Sequence, residues 1–475
     1  MKADRVLDIF KEITAIPRES GHEAPMTDWL CCWAEEHSLA CRRDDTGNVL
    51  IRREAAPGKE GVPAIVLQAH QDMVCEKNAG VQHDFRKDPI KYVIEDGWMI
   101  AKDTTLGADD GIGVAACLAL LEDSTPTGPV ECLFTISEET GMYGAEALQS
   151  GFFEGKTLIN LDSEDEGQLF IGCAGGLNTN VRFRVSRAAA PGTLVQCRIS
   201  GGIGGHSGDD INKGRANAVQ LMSRFLYGRL QDGLKLVSID GGGKPNAIAR
   251  ECTAVVSVAD SKALIKALKA FGEDISAEFH STDPALKAEA SVLSGEAGFL
   301  PMTAASTARV VSALFAAPHG VIAMSQDIAD LVQTSTNLAS AKTHKGGGIV
   351  EIVTSQRSSA TSERRAIAAK VRASFEAFGA SVRHMYEYPG WNPDMGSHIL
   401  ARTVEAYRRL FKAEPEVKAI HAGLECGLFL QKFPGLDMIS FGPTLRGVHA
   451  PGERLELASM DKFVALLDDV VCNFK

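Results

Sequence analysis

An apolar run at residues 64–67 (AIVL) leads directly into residues 68–74 (QAHQDMV). The run is typical of a buried β-strand, and the residues after it place an imidazole, His70, one residue from a carboxylate, Asp72. Open α/β sheets bind their ligands at the carboxyl ends of their strands, so both side chains are candidates for a functional site. A His-X-Asp pair alone also occurs on ordinary protein surfaces, so other segments of the sequence are needed to distinguish a functional site from a surface pair.

Three further apolar segments lead into acids or a histidine. Their β-branched and aromatic content predicts buried strands. These segments are residues 130–136, which precede Glu138 and Glu139; residues 157–161, which precede Asp162; and residues 437–441, which precede a Gly-Pro loop that reaches His449. Four predicted strand ends therefore carry His or an acid.

A glycine-framed loop at residues 107–111 (GADDG) opens an apolar stretch, residues 114–121, that predicts a buried helix. Capping of the helix and its dipole would explain one acid at this position. They do not explain two, Asp109 and Asp110, whereas glycines also let a backbone bring a carboxylate close to a cation.

The candidate ligands combine two imidazoles with three carboxylates: His70, Asp109, Glu139, Asp162 and His449. Such a set, with one carboxylate bridging, suits two divalent metal ions, above all Zn²⁺, with Mn²⁺ or Co²⁺ as alternatives. A two-metal hydrolase holds its ions about 3.5–4 Å apart and leaves positions for water and substrate.

Two neighbouring acids fit supporting roles. A metal-bound imidazole usually donates its other N–H to a carboxylate, and Asp72 is close enough in sequence to accept from His70. Adjacent residues that leave a strand point in different directions, so Glu139 can bind metal while Glu138 faces the reacting water as general base.

Five motifs follow one another in the order HQDMV, GADDG, SEETG, LDSE and VHAP, at residues 70–74, 107–111, 137–141, 161–164 and 448–451. They resemble the motifs of the dinuclear-zinc peptidases that include aminoacylase, carboxypeptidase G and the dipeptidases, and the resemblance spans essentially the whole chain. Three other segments are similar in particular to the aminoacyl-histidine dipeptidase (Xaa-His dipeptidase, peptidase D) branch: residues 16–23, 170–176 and 421–427.

The resemblance implies a role for each candidate ligand. Asp109 would bridge the metals, His70 and Asp162 would complete one site, and Glu139 and His449 the other. Asp72 and Glu138 would keep the orienting and base roles.

Two positions depart from the branch. It often has Asn where Asp110 stands, so a second acid leaves the choice of bridging residue open. Gln71 stands where an apolar residue is usual, and we expect its side chain to point away from the metals.

A glycine-rich segment at residues 201–208 (GGIGGHSG) contains His206. One interpretation is a glycine-rich turn in which the His is incidental. The resemblance implies the other interpretation, a segment whose His stabilises the tetrahedral oxyanion. Removal of one such donor costs roughly 100- to 1000-fold in rate. We favour the functional role, and whether His206 serves its own chain or a neighbour's stays open.

A dipeptide substrate needs a partner for its free carboxylate. Arg357 is the best candidate, because a guanidinium matches a carboxylate with two parallel hydrogen bonds. Arg250 is the competitor. By the resemblance, Asn246 would add an amide contact.

Composition excludes several classes of protein. The formal net charge of −12, without a basic run, argues against a nucleic-acid partner. Apolar runs stay well short of the roughly 20 residues of a membrane helix, and the N-terminus predicts an amphipathic helix rather than a signal peptide. Eleven scattered cysteines indicate reduced thiols and a cytoplasmic location.

A length of 475 residues indicates two domains. Because the candidate ligands lie near the two ends, we expect an α/β catalytic domain, with a mixed, mostly parallel sheet flanked by helices, from residues 1–180 and 389–475. Residues 181–388 would form an inserted α+β lid of two ferredoxin-like halves, the second beginning with a helix near residues 307–315.

The sequence thus predicts a metal-dependent dipeptidase of broad specificity that acts on short, unblocked peptides, with Xaa-His and β-alanyl-histidine among the open substrates. Aminotripeptidase, N-acyl-amino-acid hydrolase or carboxypeptidase activity is the alternative within the family. A non-catalytic metal-binding relative is the third hypothesis, and the presence of Glu138 argues against it. The sequence leaves open whether the chain forms a homodimer.

Overall fold

The computed structural model describes residues 1–294 and 298–475, and the elements below are those of the described residues. The α-helices are α1 (Ala3–Ile13), α2 (Ala24–Glu36), α3 (Ala108–Glu122), α4 (Tyr143–Ala147), α5 (Ala218–Tyr227), α6 (Ser261–Glu278), α7 (Ala304–Ala316), α8 (Thr361–Glu376), α9 (His398–Phe411), α10 (Glu425–Lys432) and α11 (Leu457–Cys472). A short 3₁₀ helix spans Leu230–Asp232.

The first strands along the chain are β1 (Ala40–Arg43), β2 (Val49–Arg53), β3 (Ile65–His70), β4 (Tyr92–Glu95), β5 (Trp98–Ala101), β6 (Val130–Thr135), β7 (Thr157–Asn160), β8 (Gln168–Cys173), β9 (Gly175–Arg184), β10 (Thr193–Ser200) and β11 (Lys235–Gly242). The others are β12 (Cys252–Val258), β13 (Lys287–Val292), β14 (Gly320–Met324), β15 (Val332–Thr343), β16 (Ile349–Ser358), β17 (Ser381–Tyr388), β18 (Glu416–Ile420), β19 (Asp437–Ser440), β20 (Leu445–Arg446) and β21 (Arg454–Glu456).

The chain forms two compact units. Unit 1 comprises Met1–Gly172, Pro393–Ala419 and Leu424–Lys475, and unit 2 comprises Cys173–Asn392 and Ile420–Gly423. The predicted insert, residues 181–388, lies within unit 2, and position 180 falls inside β9.

Unit 1 is built on an eight-stranded sheet with the order β1-β2-β6-β3-β7-β19-β8-β18. The four central strands, β6, β3, β7 and β19, run parallel, whereas the β1–β2, β2–β6 and β19–β8 pairs are antiparallel. Every residue of β3 and β6 is buried, as expected for strands covered on both faces. The α/β class with a mixed sheet is therefore confirmed.

Helices supply the apolar cover of this sheet. In α3 every residue from Ala108 to Leu121 is buried, which explains its continuous apolar sequence. The amphipathic helix predicted at the N-terminus is α1, whose buried side chains include Val6, Phe10 and Ile13.

A small antiparallel sheet in unit 1, with the order β20-β21-β5-β4, fixes the loop that contains His449. This loop joins β20 to β21, and β21 pairs with β5. The carboxyl-terminal loop is thereby tied to a strand that lies a few residues before the Asp109 loop.

Unit 2 is built on one antiparallel nine-stranded sheet. One half has the chain order β10-α5-β11-β12-α6-β13 and the strand order β13-β10-β12-β11. This β-α-β-β-α-β connection is that of a ferredoxin-like unit.

The other half contains β9, α7, β15, β16, α8 and β17, with β14 paired to β15, and has the strand order β15-β16-β9-β17. We expected this half to begin with α7. Its first strand is instead β9, which precedes the whole first half in sequence. Between the sheet and its helices lies an apolar core that includes Phe183 and Phe375, whose ring centroids are 6.5 Å apart.

Among the described residues, each helix is too short or too polar to cross a membrane.

Candidate functional site

The ends of three neighbouring parallel strands bring the first candidate residues together. His70 is the last residue of β3 and pairs with Thr135, the last residue of β6. Glu138 and Glu139 follow β6 directly, and Asp162 follows β7. Because parallel neighbours end at the same edge of a sheet, these side chains share the carboxyl edge of unit 1.

Ligand atoms of the candidate residues lie within 4.8 Å of one another in three groups: His70, Asp109 and Asp162; Asp109, Glu139 and His449; and His70, Glu138 and Glu139. The first two groups contain the five residues that the sequence singled out as ligands. Asp109 belongs to both.

The two carboxylate oxygens of Asp109 face different imidazoles. Oδ1 lies 2.9 Å from Nε2 of His70, and Oδ2 lies 3.0 Å from Nε2 of His449. Nε2 of His70 also lies 3.5 Å from Asp162 Oδ1, and Nε2 of His449 lies 2.8 Å from Glu139 Oε1. The carboxylate of Asp109 is thus shared between the two groups of candidate ligand atoms.

Asp110, the extra acid in this loop, has a different environment. Its Oδ1 accepts a hydrogen bond of 3.2 Å from the backbone N–H of Gly113, and its carboxyl group is buried. A side chain at Gly113 would overlap this carboxyl group, so the glycine makes room for it. Asp109 and Asp110 both have non-helical backbone angles at the start of α3, which turns their side chains in different directions.

Asp72 is fully buried and connects the His70 loop to the Glu138 loop. Its Oδ1 lies 3.3 Å from Nδ1 of His70 and accepts a bond of 3.1 Å from the N–H of Glu138. Its Oδ2 accepts bonds from Ser20 Oγ, at 2.7 Å, and from the N–H of Glu139, at 3.3 Å. Burial opposes the ionisation of Asp72, but the hydrogen bonds from His70 and Ser20 outweigh it and lower the pKa of the carboxyl group.

Burial and neighbouring charges shift the pKa values of several groups in the cluster. Burial, with the negative charge of Asp162 added, raises the pKa of Glu138 well above its usual range. Burial and the charge of Asp109 likewise raise the pKa of Asp162. Hydrogen bonds to Asp109 and Glu139 raise the pKa of His449 to about 11. Acids outnumber the two imidazoles in this cluster, and bound cations would oppose the burial and mutual repulsion that raise these pKa values.

Gln71, the other departure from the branch, points away from this cluster. Its Oε1 accepts a 2.8 Å hydrogen bond from Thr27 Oγ1, and its Nε2 donates to the carbonyls of Gly47 and Phe134. The side chain thus holds α2 against the sheet.

A second cluster lies in unit 2 around Arg357. Its Nη2 donates to Nε2 of His206 over 3.4 Å, and its Nη1 donates to the hydroxyl of Tyr388 over 3.3 Å. The other ring nitrogen of His206, Nδ1, lies 3.1 Å from Oδ2 of Asp209. Arg357 is only 6 % exposed, and its Nε has no hydrogen-bond partner among the described residues.

His421 is a buried neighbour of this cluster, with its Nε2 2.7 Å from the hydroxyl of Ser335. Burial, reinforced by the positive charge of Arg357, lowers the pKa of His421 to about 3. The imidazole is therefore neutral, and the guanidinium is the dominant charge. A buried guanidinium with an unused N–H is suited to bind an anion.

The remaining sequence candidates in unit 2 are exposed. Asn246 contacts the His206 segment through its backbone, where its carbonyl accepts a 2.8 Å hydrogen bond from Ser207. The side chain of Arg250 packs over Gly204. Of the two arginines considered for a carboxylate, Arg357 is buried and Arg250 is exposed.

Sequence reasoning assigned no role to several residues that contact the two clusters: Arg18, Asp209, Tyr388, His421 and Glu453. Four of them lie within four residues of a candidate or in a quoted segment, Tyr388 being the exception, and this proximity was the available signal. Arg18 and Glu453 act on backbone groups of the ligand loops, and a pattern of side-chain types does not report such contacts.

Comparisons with known proteins identify the family of this chain. The model of the peptidase family M20/M25/M40 matches residues 66–473. The cytosol non-specific dipeptidase of Escherichia coli K12 is 38% identical over 470 residues, which cover 98% of this chain and 96% of that protein. The chain therefore belongs to peptidase family M20/M25/M40, and the resemblance predicted from the motifs is confirmed.

Solved structures extend the comparison to the fold. The aminoacylhistidine dipeptidase of Vibrio alginolyticus is 37% identical and superposes with a TM-score of 0.92, over 99% of this chain and 96% of that one. The aminopeptidase PepT of Bacillus cereus is 17% identical with a TM-score of 0.59, over 99% and 98% of the two chains, and shows the shared fold alone.

Proposed function

We propose that this protein is a metal-dependent dipeptidase that hydrolyses the peptide bond of unblocked dipeptides with broad specificity. The observation that carries the proposal is the placement of Asp109 between the His70 and His449 imidazoles. The names of two relatives, a non-specific dipeptidase and an aminoacylhistidine dipeptidase, support the same substrate class.

The donor set suits two divalent ions, most simply Zn²⁺, with Mn²⁺ or Co²⁺ as alternatives. We assign His70 and Asp162 to one ion and Glu139 and His449 to the other, with Asp109 shared. When bound, the ions would lower the pKa of a water molecule toward neutrality and polarise the substrate carbonyl.

Glu138 is the proposed general base. It is adjacent to a proposed ligand, Glu139, and lies within the third group of ligand atoms around His70. Its raised pKa suits a carboxylate that takes a proton from water and passes it to the leaving amine. Asp72 would hold His70 in one tautomer and, through its bonds to two backbone N–H groups, would fix the Glu138 loop.

His206 is the proposed donor to the tetrahedral oxyanion, and its bond to Asp209 would orient the ring. To learn whether it serves its own chain, inactive His206→Ala and Glu138→Gln proteins can be mixed. Recovery of activity on mixing would require His206 to act on a partner chain in a homodimer, and no recovery would place its action within one chain.

Arg357 is the proposed partner of the substrate's free carboxylate. Its burial and its unused Nε–H support this role over the exposed Arg250. Asn246 would add a contact through its side-chain amide. We also propose a cytoplasmic location, as the name of the Escherichia coli relative states for that protein.

The test is hydrolysis of a substrate panel by metal-stripped protein, with and without added Zn²⁺ or Mn²⁺. The panel contains Ala-His, β-Ala-His, Leu-Gly, a tripeptide, acetyl-Met and an amidated dipeptide. We expect metal-dependent cleavage of the free dipeptides alone. Cleavage of only the tripeptide or acetyl-Met would replace the proposal with a sibling activity, and silence despite bound metal would favour a binding protein.

A further inference from the structure

The carboxylate of Glu453 is bound by four consecutive backbone N–H groups of the loop that leads into α3. Its Oε2 accepts from Leu106, at 2.8 Å, and Gly107, at 3.1 Å. Its Oε1 accepts from Ala108, at 2.8 Å, and Asp109, at 3.4 Å. The side chain is 2 % exposed, so water does not compete for these bonds.

The backbone shape of this loop explains why one carboxylate satisfies all four donors. Gly107 has a φ of 69°, in the left-handed region, and successive N–H groups in such a turn converge on one side. Convergent N–H groups form an anion-binding concavity, and here the anion is part of the protein. Without it, four buried donors would lose their acceptor.

The opposite face of the same loop is held by Arg18, which is 1 % exposed. Its Nη2 donates to the carbonyl oxygen of Gly107, and its Nη1 donates to the carbonyl of Asp72 over 2.9 Å. A side chain at position 107 would overlap this guanidinium. The backbone of Gly107 is thus held at its N–H by the carboxylate of Glu453 and at its carbonyl by the guanidinium of Arg18.

These contacts determine where the carboxylate of Asp109 lies. Its own N–H belongs to the set that Glu453 binds, and its two oxygens must face His70 and His449 at the same time. Glu453 is also only four residues after His449, so one side chain sets the spacing between the two loops. A small shift of either loop would separate the shared ligand from one imidazole.

We propose that Glu453 is a positioning residue for the metal centre: it holds the Asp109 and His449 loops at the separation that two metal ions require. The inference rests on the metal sites of the proposed function. Glu453 is not itself a proposed metal ligand, because both of its carboxylate oxygens accept hydrogen bonds from backbone N–H groups.

Glu131 provides a matched control in the same unit. It is 1 % exposed, and its carboxylate also accepts from backbone N–H groups, those of Glu154 and Gly155, at 2.8–3.2 Å. It lies in β6, and the loop that it contacts contains no proposed ligand. A Glu131→Gln substitution therefore disturbs a similar set of hydrogen bonds between a carboxylate and backbone N–H groups, away from the ligand loops.

The experiment compares wild type, Glu453→Gln, Glu453→Asp and Glu131→Gln after removal of metal. Zn²⁺ affinity is measured by competition with a chromophoric chelator, the visible spectrum is recorded with Co²⁺, and the melting temperature of the metal-free proteins reports general damage. We expect Glu453→Gln to bind Zn²⁺ about 10- to 100-fold more weakly, with altered Co²⁺ bands. Glu453→Asp, which keeps the charge but has a shorter reach, should lose less affinity. Glu131→Gln should bind as wild type does.

Wild-type affinity and spectrum in either folded Glu453 variant would overturn the inference. An equal loss of affinity in Glu131→Gln would also overturn it, since that result would make the effect one of general stability. Failure of wild-type protein to bind metal would instead refute the proposed metal sites and is recognised before any variant is compared.

Discussion

The two clusters of ionisable side chains differ in their balance of charge. In unit 1, acids outnumber imidazoles, and burial with mutual repulsion raises the pKa values of Glu138 and Asp162. In unit 2, a buried guanidinium, Arg357, has a neutral His421 near it and one carboxylate, Asp209, in contact with His206. The first cluster has an excess of acids, and in the second an N–H of the buried guanidinium has no hydrogen-bond partner among the described residues.

Under the proposed function, this difference gives the two clusters different roles. Two metal ions would neutralise the first cluster and activate water there. A carboxylate on the substrate would accept from the free N–H of Arg357 and make the enzyme selective for a free carboxyl end. Substitutions of the acids should therefore lower kcat or metal content, substitution of Arg357 should alter substrate selection, and substitution of His206, the proposed oxyanion donor, should lower kcat.

The largest effect is expected for Glu138→Gln. Loss of a general base should lower kcat about 100- to 10 000-fold while metal binding persists, because the neighbouring Glu139 and the other ligands remain. Glu139→Gln, its adjacent control, should instead lower the bound metal measured by elemental analysis. Near-normal turnover of fully loaded Glu138→Gln would remove this residue as the base.

His206→Ala should lower kcat about 100- to 1000-fold with little change in KM, since an oxyanion donor acts mainly in the transition state. His280→Ala, a substitution of an exposed histidine in the same unit, is the control. If His206→Ala changes only the melting temperature, its role is structural, and His206 is not the donor to the oxyanion.

Arg357→Ala should raise KM about 10- to 100-fold for dipeptides with a free carboxyl end, as expected for the loss of hydrogen bonds to a charged group. Amidated dipeptides, which lack that charge, should be cleaved no worse by the variant than by wild type. Arg250→Ala, the exposed competitor, should leave KM unchanged. The reverse pattern would assign the substrate carboxylate to Arg250.

The smallest effect concerns stability and pH. Because burial lowers the pKa of His421 to about 3, the unfolded chain binds a proton that the folded chain does not between about pH 6.5 and 3. The stabilisation is present above pH 6.5 and is lost as the pH falls through this window. His421→Gln should reduce the slope of unfolding free energy against pH by at most about 1.4 kcal/mol per pH unit.

The pH dependence should be reduced rather than abolished. Burial also lowers the pKa of His319, to about 4, with the same sign. Melting temperatures between pH 7 and 4 check the prediction, with His280→Gln as the exposed control. An unchanged slope in His421→Gln would show that this imidazole is not held neutral by burial.

The same two clusters differ in how far the sequence predicted them. The five candidate ligands could be found because each follows a strand or opens a buried helix, so hydrophobic patterning identified their positions. The α/β class followed from the same patterning. His206 was found through the resemblance to the family, and Arg357 through the need of a dipeptide for a partner to its carboxylate, since their turns and strands have no comparable pattern.

Other features could not be predicted because they depend on contacts between distant segments. Glu453 binds backbone N–H groups that lie more than 340 residues earlier. Such groups exist in every residue, so the sequence does not mark the loop that will use them. Similarly, β9 pairs with β16, although the strands of the other half of the sheet lie between them in sequence. The alternation of buried residues in β9 does not indicate which strand will pair with it.

The central claim is most directly tested by titration of Zn²⁺ into metal-stripped protein, with bound metal and hydrolysis of Ala-His measured on the same samples. The account predicts that activity appears only with bound metal and reaches its maximum at two ions per chain. Asp109→Asn, which alters the shared ligand, should abolish this endpoint. Full activity without metal, or at one ion per chain, would contradict the account.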